Sequence, residues 1–155
     1  SLIARGKNII VARTFSKIHG MAGVRVGYAV GLPETMAKIN AITRAGMGIS
    51  GPSIAAASAS LADAEFLKMS RENNTAVRAF TYNGLKQLGH TPVPSYTSFM
   101  IFPIAMEGKE FLTRMTGQGV GVRAFRFMDR NWCRVSMGKQ DEMERFLKAV
   151  EKTLV

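Results

Sequence analysis

The sequence predicts a mixed α/β fold, and three observations carry that prediction. Two short β-branched runs, Asn8–Ala12 and Val24–Val30, read as strands near the start of the chain. A long helix-prone stretch runs from Ser53 to Leu88. A strongly amphipathic segment, Gln140 to Leu154, closes the chain.

Ser1 to Gly6 reads as a helix end feeding the first strand. A polar stretch, Arg13 to Gly23, separates it from the second strand, which Gly31-Leu32-Pro33 breaks. Pro33 then opens a helix to about Ile42, since proline in the first turn gives up no hydrogen bond. Ser53 is the expected N-cap of an Ala-rich helix over 54–64. A further helix is expected over 65–88, with Phe66, Met69, Ala76, Val77 and Phe80 at helical spacing and Gly89 as its stop. Beyond it the texture changes to short elements: strands at 99–102, 120–122 and 132–136, and a helix at 108–116. In the final helix Met143, Phe146, Leu147, Val150 and Leu154 share one face. Asp141–Arg145 and Glu144–Lys148 are i,i+4 pairs on the other.

The chain has 155 residues, 46% hydrophobic and 21% charged. That suffices for one sizeable core or two small ones, and excludes a disordered chain or a disulfide-stapled mini-protein. No run approaches the ~20 apolar residues of a membrane-spanning helix. Twenty-one Lys and Arg against eleven Asp and Glu give a net charge of +10, which by itself suggests a polyanion. The basic residues are scattered, however, and no aromatic-rich basic stripe supports a nucleic-acid-binding module. Cys133 has no partner for an internal disulfide, and His19 and His90 lie too far off in sequence to suggest a zinc site with it. A cytoplasmic location is the expectation. The start at Ser1, running straight into a strand, suggests a piece of something longer.

The segment from Thr14 to Tyr28 is where chemistry concentrates. It places Thr14, Ser16, Lys17 and Arg25 in a loop between two strands, with Gly20 and Gly23 allowing close approach of a ligand. Hydroxyls with a guanidinium suit a phosphate. A partly buried lysine beside them suits a Schiff base with a phosphate-bearing carbonyl cofactor. The spacing matches neither a dinucleotide fingerprint nor a P-loop. The alternative is a glycine-rich turn carrying surface charge.

Thr14-Phe15-Ser16-Lys17 followed by Gly20-Met21-Ala22-Gly23-Val24-Arg25-Val26-Gly27-Tyr28 resembles the lysine signature of fold-type-I, pyridoxal-phosphate-dependent aminotransferases. The nearest group is class I/II, which includes histidinol-phosphate aminotransferase. The resemblance implies that Lys17 holds pyridoxal 5'-phosphate as a Schiff base. It also implies that Arg25, with Thr14 and Ser16, binds the cofactor phosphate. Asn131 to Gly138 resembles the family's arginine-bearing strand, which implies that Arg134 clamps the substrate α-carboxylate. Gly119 to Arg123 resembles the preceding small-domain strand, and Arg123 is given no role. His19 stands where many relatives carry an aromatic or small residue and reads as packing the turn. Thr97-Ser98-Phe99 departs from the Asn-Phe common at that place.

The resemblance implies the C-terminal part of a fold-type-I transferase. Residues 1–75 would end the large cofactor-binding domain, with the Val24–Val30 strand antiparallel to its sheet, and 76–155 would form the small α/β domain. It further implies a homodimer acting on amino acids and 2-oxo acids. Related decarboxylases and acyltransferases share the signature and stay open as reaction types, as does a non-catalytic domain of the same fold.

Overall fold

The computed structural model of the chain describes residues 2–43 and 48–154. They form two compact units, Ser1–Lys68 and Met69–Val155, with the boundary inside one helix.

In the first unit, a 3-10 turn at Ile3–Arg5 ends on Gly6 in the left-handed conformation. Strand β1 (Val11–Thr14) then pairs antiparallel with β2 (Gly27–Val30), Val11 opposite Val30 and Thr14 opposite Gly27. Both are shorter or later than the sequence suggests, for local reasons. β2 ends at Val30, where Gly31 and Leu32 lead into α1 (Pro33–Thr43), so Asn8–Ile10 meet no strand partner among the described residues. β2 begins only at Gly27 because Ala22–Val24 winds into a 3-10 turn and Arg25 is left-handed (φ 54°, ψ 49°). The ladder is tight at its end: a Cβ on Gly27 would lie 2.7 Å from the Arg13 carbonyl oxygen, so glycine is required there. Helix α2 (Gly51–Ala62) is capped by Ser50, not by the expected Ser53. Ser50 Oγ accepts from Ser53 N at 3.2 Å, and Pro52 occupies the first turn, where its missing N–H is no loss. The unit buries little: Phe15, Ala57 and Ser53 are inside, whereas Ile10, Val11, Tyr28 and Val30 face outward.

Helix α3 (Ala64–Gln87) starts at Asp63, whose carboxylate accepts from Phe66 N at 2.9 Å. Its C-terminal part belongs to the second unit, a three-stranded antiparallel sheet in the order β3–β5–β4 with helices on one face. β3 (Phe99–Ile104) alternates cleanly, sending Met100, Phe102 and Ile104 into the core. Pro103 is tolerated because β3 is an edge strand. α4 (Gly108–Gly117) is capped by Glu107, which accepts from Lys109 N and Glu110 N. The expected strand at Val120–Val122 does not form. Gly119 is left-handed (φ 74°), and Val120 N donates back to Met115 O at 3.0 Å, so these residues close α4 and pack on the core. β4 is Arg123–Phe127 and β5 is Arg130–Ser136, joined by Met128–Asp129, both at positive φ. α5 (Gln140–Leu154) buries Met143, Phe146, Ala149 and Val150, and its Asp141–Arg145 pair forms at 3.2 Å. α3 and α5 pack closely through Gly84, where a Cβ would collide with Leu147.

Candidate active site

The loop between β1 and β2 is held by backbone bonds at both ends. Phe15 N donates to Val26 O at 3.2 Å, Met21 N to Phe15 O at 3.0 Å and Gly20 N to Lys17 O at 2.9 Å. Phe15, only 2% exposed, anchors the loop, while the neighbouring Lys17 points out of it. Thr14 Oγ1 accepts from Ser16 N at 3.1 Å, so the two hydroxyl-bearing residues and the lysine form one short arch. Lys17 is exposed within this unit, contrary to the partial burial expected of it.

Arg25 lies on the next turn, in a left-handed conformation that costs an L-residue roughly 1–2 kcal/mol. Such strain at a charged loop residue points to function. Among the described residues its guanidinium makes a single hydrogen bond, Nη1 to Ala22 O at 3.3 Å, leaving most of its donors unspent. Arg5, Lys7, Arg13, Lys17 and Arg25 all precede the first carboxylate in the chain, Glu34, so the segment is locally short of negative charge. A cavity of about 500 Å³ lies beside Arg25 and is also lined by Gly23, Ser50, Pro52 and Ser53 at the start of α2. Unspent guanidinium donors facing a helix N-terminus suit a phosphate. The chemistry of the Arg25, Thr14, Ser16 and Lys17 side chains suits a phosphate-bearing aldehyde cofactor, guanidinium and hydroxyls for a phosphate and an amine for a carbonyl. Of these four expected site residues of the loop, however, only Arg25 lines the cavity, and Thr14, Ser16 and Lys17 do not. The serines at the start of α2 join this region without a sequence motif that places them there, Ser50 before Gly51-Pro52 being the only local signal.

His19 packs the turn. Its ring lies 4.5 Å from that of Phe15, and its Nδ1 is 2.7 Å from Ser60 Oγ on α2. Phe15 also meets Tyr28 at 5.7 Å.

Arg134 is in the second unit, at the centre of β5, opposite Ile101 on one side and Arg123 on the other. Alternation sends Cys133 and Val135 into the core and Arg134 to the other sheet face with Trp132. Its guanidinium carbon stands 4.1 Å from the centroid of the Phe99 ring. Phe99 is fixed in turn, its carbonyl accepting from Ser95 Oγ (2.6 Å) and Thr97 Oγ1 (3.1 Å). Arg134 Nε is shielded from water and has no hydrogen-bond partner among the described residues. An unmet donor on a cation, with a like charge on the neighbouring strand, is unfavourable unless an anion binds there. A carboxylate is one anion whose chemistry suits a guanidinium. Thr97 is committed to the backbone, and Arg123 is exposed beside Arg134.

Residues 1–150 match the family described as aminotransferase class I and II. Histidinol-phosphate aminotransferase 2 of Nitrosospira multiformis is 36% identical over 144 residues, 92% of this chain and 36% of that protein. Histidinol-phosphate aminotransferase 1 of Dechloromonas aromatica is 38% identical over 148 residues, covering 95% and 40%. The crystal structure of histidinol-phosphate aminotransferase from Sinorhizobium meliloti in complex with pyridoxal-5'-phosphate superposes with a TM-score of 0.81 at 30% identity, over 94% of this chain and 41% of that one. The chain thus spans about two fifths of the length of these relatives, and its architecture is a portion of the fold-type-I fold. It belongs to the class I and II aminotransferase family.

Proposed function

We propose that this chain is the C-terminal part of a pyridoxal-phosphate-dependent aminotransferase that moves an amino group between an amino acid and a 2-oxo acid. The observation that carries the reading is the loop joining β1 to β2, which presents Lys17 on one turn and a strained, unspent Arg25 on the next. Membership of the family supports it.

In this reading, residues 1–75 complete the large domain and 76–155 form the small one. Arg25, Thr14 and Ser16 would hold the cofactor phosphate, and the Lys17 amine is the group that would hold its carbonyl end. When bound, pyridoxal phosphate supplies an aldehyde that accepts the amino group and a ring that stores the electron pair. The Lys17 amine would serve as the general base that takes the proton from the substrate α-carbon and as the general acid that returns it. Arg134 receives the α-carboxylate in its guanidinium fork, with the plane of the fork set by the Phe99 ring. The enzyme is proposed to work as a homodimer in the cytoplasm, where a free thiol such as Cys133 stays reduced.

The test is borohydride treatment of the complete enzyme with pyridoxal phosphate, followed by mass mapping. The label is expected on Lys17, with amino-acid-dependent release of a 2-oxo acid, and Lys17→Ala should abolish both while the fold survives. Near-normal turnover in Lys17→Ala would refute the assignment, and release of carbon dioxide in place of the oxo acid would redirect it to decarboxylation.

A further inference from the structure

We infer that helix α2 is a splint that sets the spacing between the Lys17 turn and the Arg25 turn, with His19 and Ser60 as its positioning pair. This rests on the cofactor reading above. The helix grips the loop at two points. Ser53 Oγ donates to Val24 O at 3.0 Å, next to Arg25. Ser60 Oγ meets His19 Nδ1 at 2.7 Å, two residues from Lys17. Ser53 and Ser60 are seven residues apart, two helical turns, and so lie on one face about 10 Å apart along the axis. Ala57 lies between them on that face and is buried, so small side chains bring the helix close to the loop.

The two grips act on different parts of the loop. The Ser53 bond holds the peptide leading into Arg25, and Ser50 braces Ser53, the two hydroxyls lying 2.8 Å apart. The His19 bond holds the Lys17–Gly20 turn, whose own closure is a single backbone bond with Gly20 at φ 68°. His19 is further fixed by the Phe15 ring, so its Nδ1 is aimed at α2. A phosphate-bearing aldehyde must reach Lys17 with one end and Arg25 with the other, so the separation of the two turns decides whether both grips close together. A two-point ligand gains from that preset spacing, whereas a ligand held at Lys17 alone does not.

The experiment compares pyridoxal phosphate with pyridoxal, which lacks the phosphate, in the complete enzyme and in its Ser60→Ala, His19→Phe, double and Ser58→Ala variants. Equilibrium binding is read from visible absorption and from borohydride-fixed label on Lys17. Amide hydrogen exchange across residues 14–26 is followed without cofactor. Affinity for pyridoxal phosphate is expected to fall roughly five- to tenfold in each single variant, the weight of one hydrogen bond, and no further in the double. Pyridoxal uptake should be unchanged, Ser58→Ala should behave as the parent, and exchange should rise at Lys17–Gly20 but not at Val24–Val26. Unchanged phosphate-ester affinity, or an equal loss for pyridoxal, would overturn the splint. If no label reaches Lys17 in the parent, the cofactor reading fails, and the exchange pattern alone decides whether α2 holds the Lys17 turn.

Discussion

Replacing Arg134 by Lys keeps the positive charge and removes the planar fork, so it isolates geometry from charge. A lysine can donate at one point where the guanidinium offers two parallel bonds to a carboxylate, and a hydrogen bond to a charged group contributes about 1.5–3 kcal/mol. KM for an α-amino acid should therefore rise about 10- to 150-fold in Arg134→Lys. The amine analogue lacking the α-carboxylate should be handled as by the parent, because nothing on it engages the clamp. Stability should move the other way. Arg134→Met gives up the contact with Phe99, worth roughly 0.5–1 kcal/mol, but removes a shielded, unmet Nε donor that costs about 1–3 kcal/mol. It also relieves the like-charge pairing with Arg123. The variant should melt no lower than the parent while losing the carboxylate substrate. Steady-state kinetics on the paired substrates, with urea denaturation alongside, reads both effects. An equal rise in KM for acid and amine, or a marked destabilisation by Arg134→Met, would show that Arg134 braces the fold and is not the clamp.

Other consequences are as direct. Met128 sits at φ 49° and is 77% exposed, so Met128→Gly should stabilise the second unit by about 1 kcal/mol in urea titrations, and destabilisation would deny the turn its conformation. Burial pushes the Cys133 thiol up to about 12, so it should resist iodoacetamide at pH 8 in the folded protein and react once urea unfolds it. Burial lowers the pKa of His90 below its ordinary 6.5, so the unfolded state takes up the proton first. Stability should fall as pH drops below about 6.5, and His90→Gln should flatten that slope. Expressed alone, these 155 residues should be poorly soluble and hold pyridoxal phosphate weakly, because the first unit leaves Ile10, Val11, Tyr28 and Val30 uncovered; a well-behaved monomer with tight cofactor binding would contradict this.

What could be read from the sequence followed from how local each determinant is. The face of α5 and the strands at 99–102 and 132–136 are written in adjacent residues, and all appear in the structure. Val120-Gly121-Val122 imitated a strand, because a valine pair packing on the core from a helix stop has the same local composition. The Met128–Asp129 turn is hard to read because Met128 does not favour positive φ and Asp129 alone is a weak signal. Ser50 and Ser53 are both cap-forming residues, and only the position of Pro52 in the first turn separates them. The loop with Lys17 and Arg25 was recognisable as a string. The bond from His19 to Ser60 was not, since no periodic pattern links residues 41 positions apart.

The strand order β3–β5–β4 treats Arg123 and Arg134, which lie opposite one another, unequally. β5 is central and its register is fixed from both sides, whereas β4 is fixed through one neighbour and a two-residue turn. One residue inserted between Phe127 and Arg130 would slide β4 by a single step and turn Arg123 to the opposite face, while Arg134 stayed where β3 holds it. The aim of Arg134 thus survives length changes in the hairpin, whereas that of Arg123 can be switched by them. An insertion scan at Met128–Asp129 would change the neighbourhood of the clamp without dislodging the clamp itself.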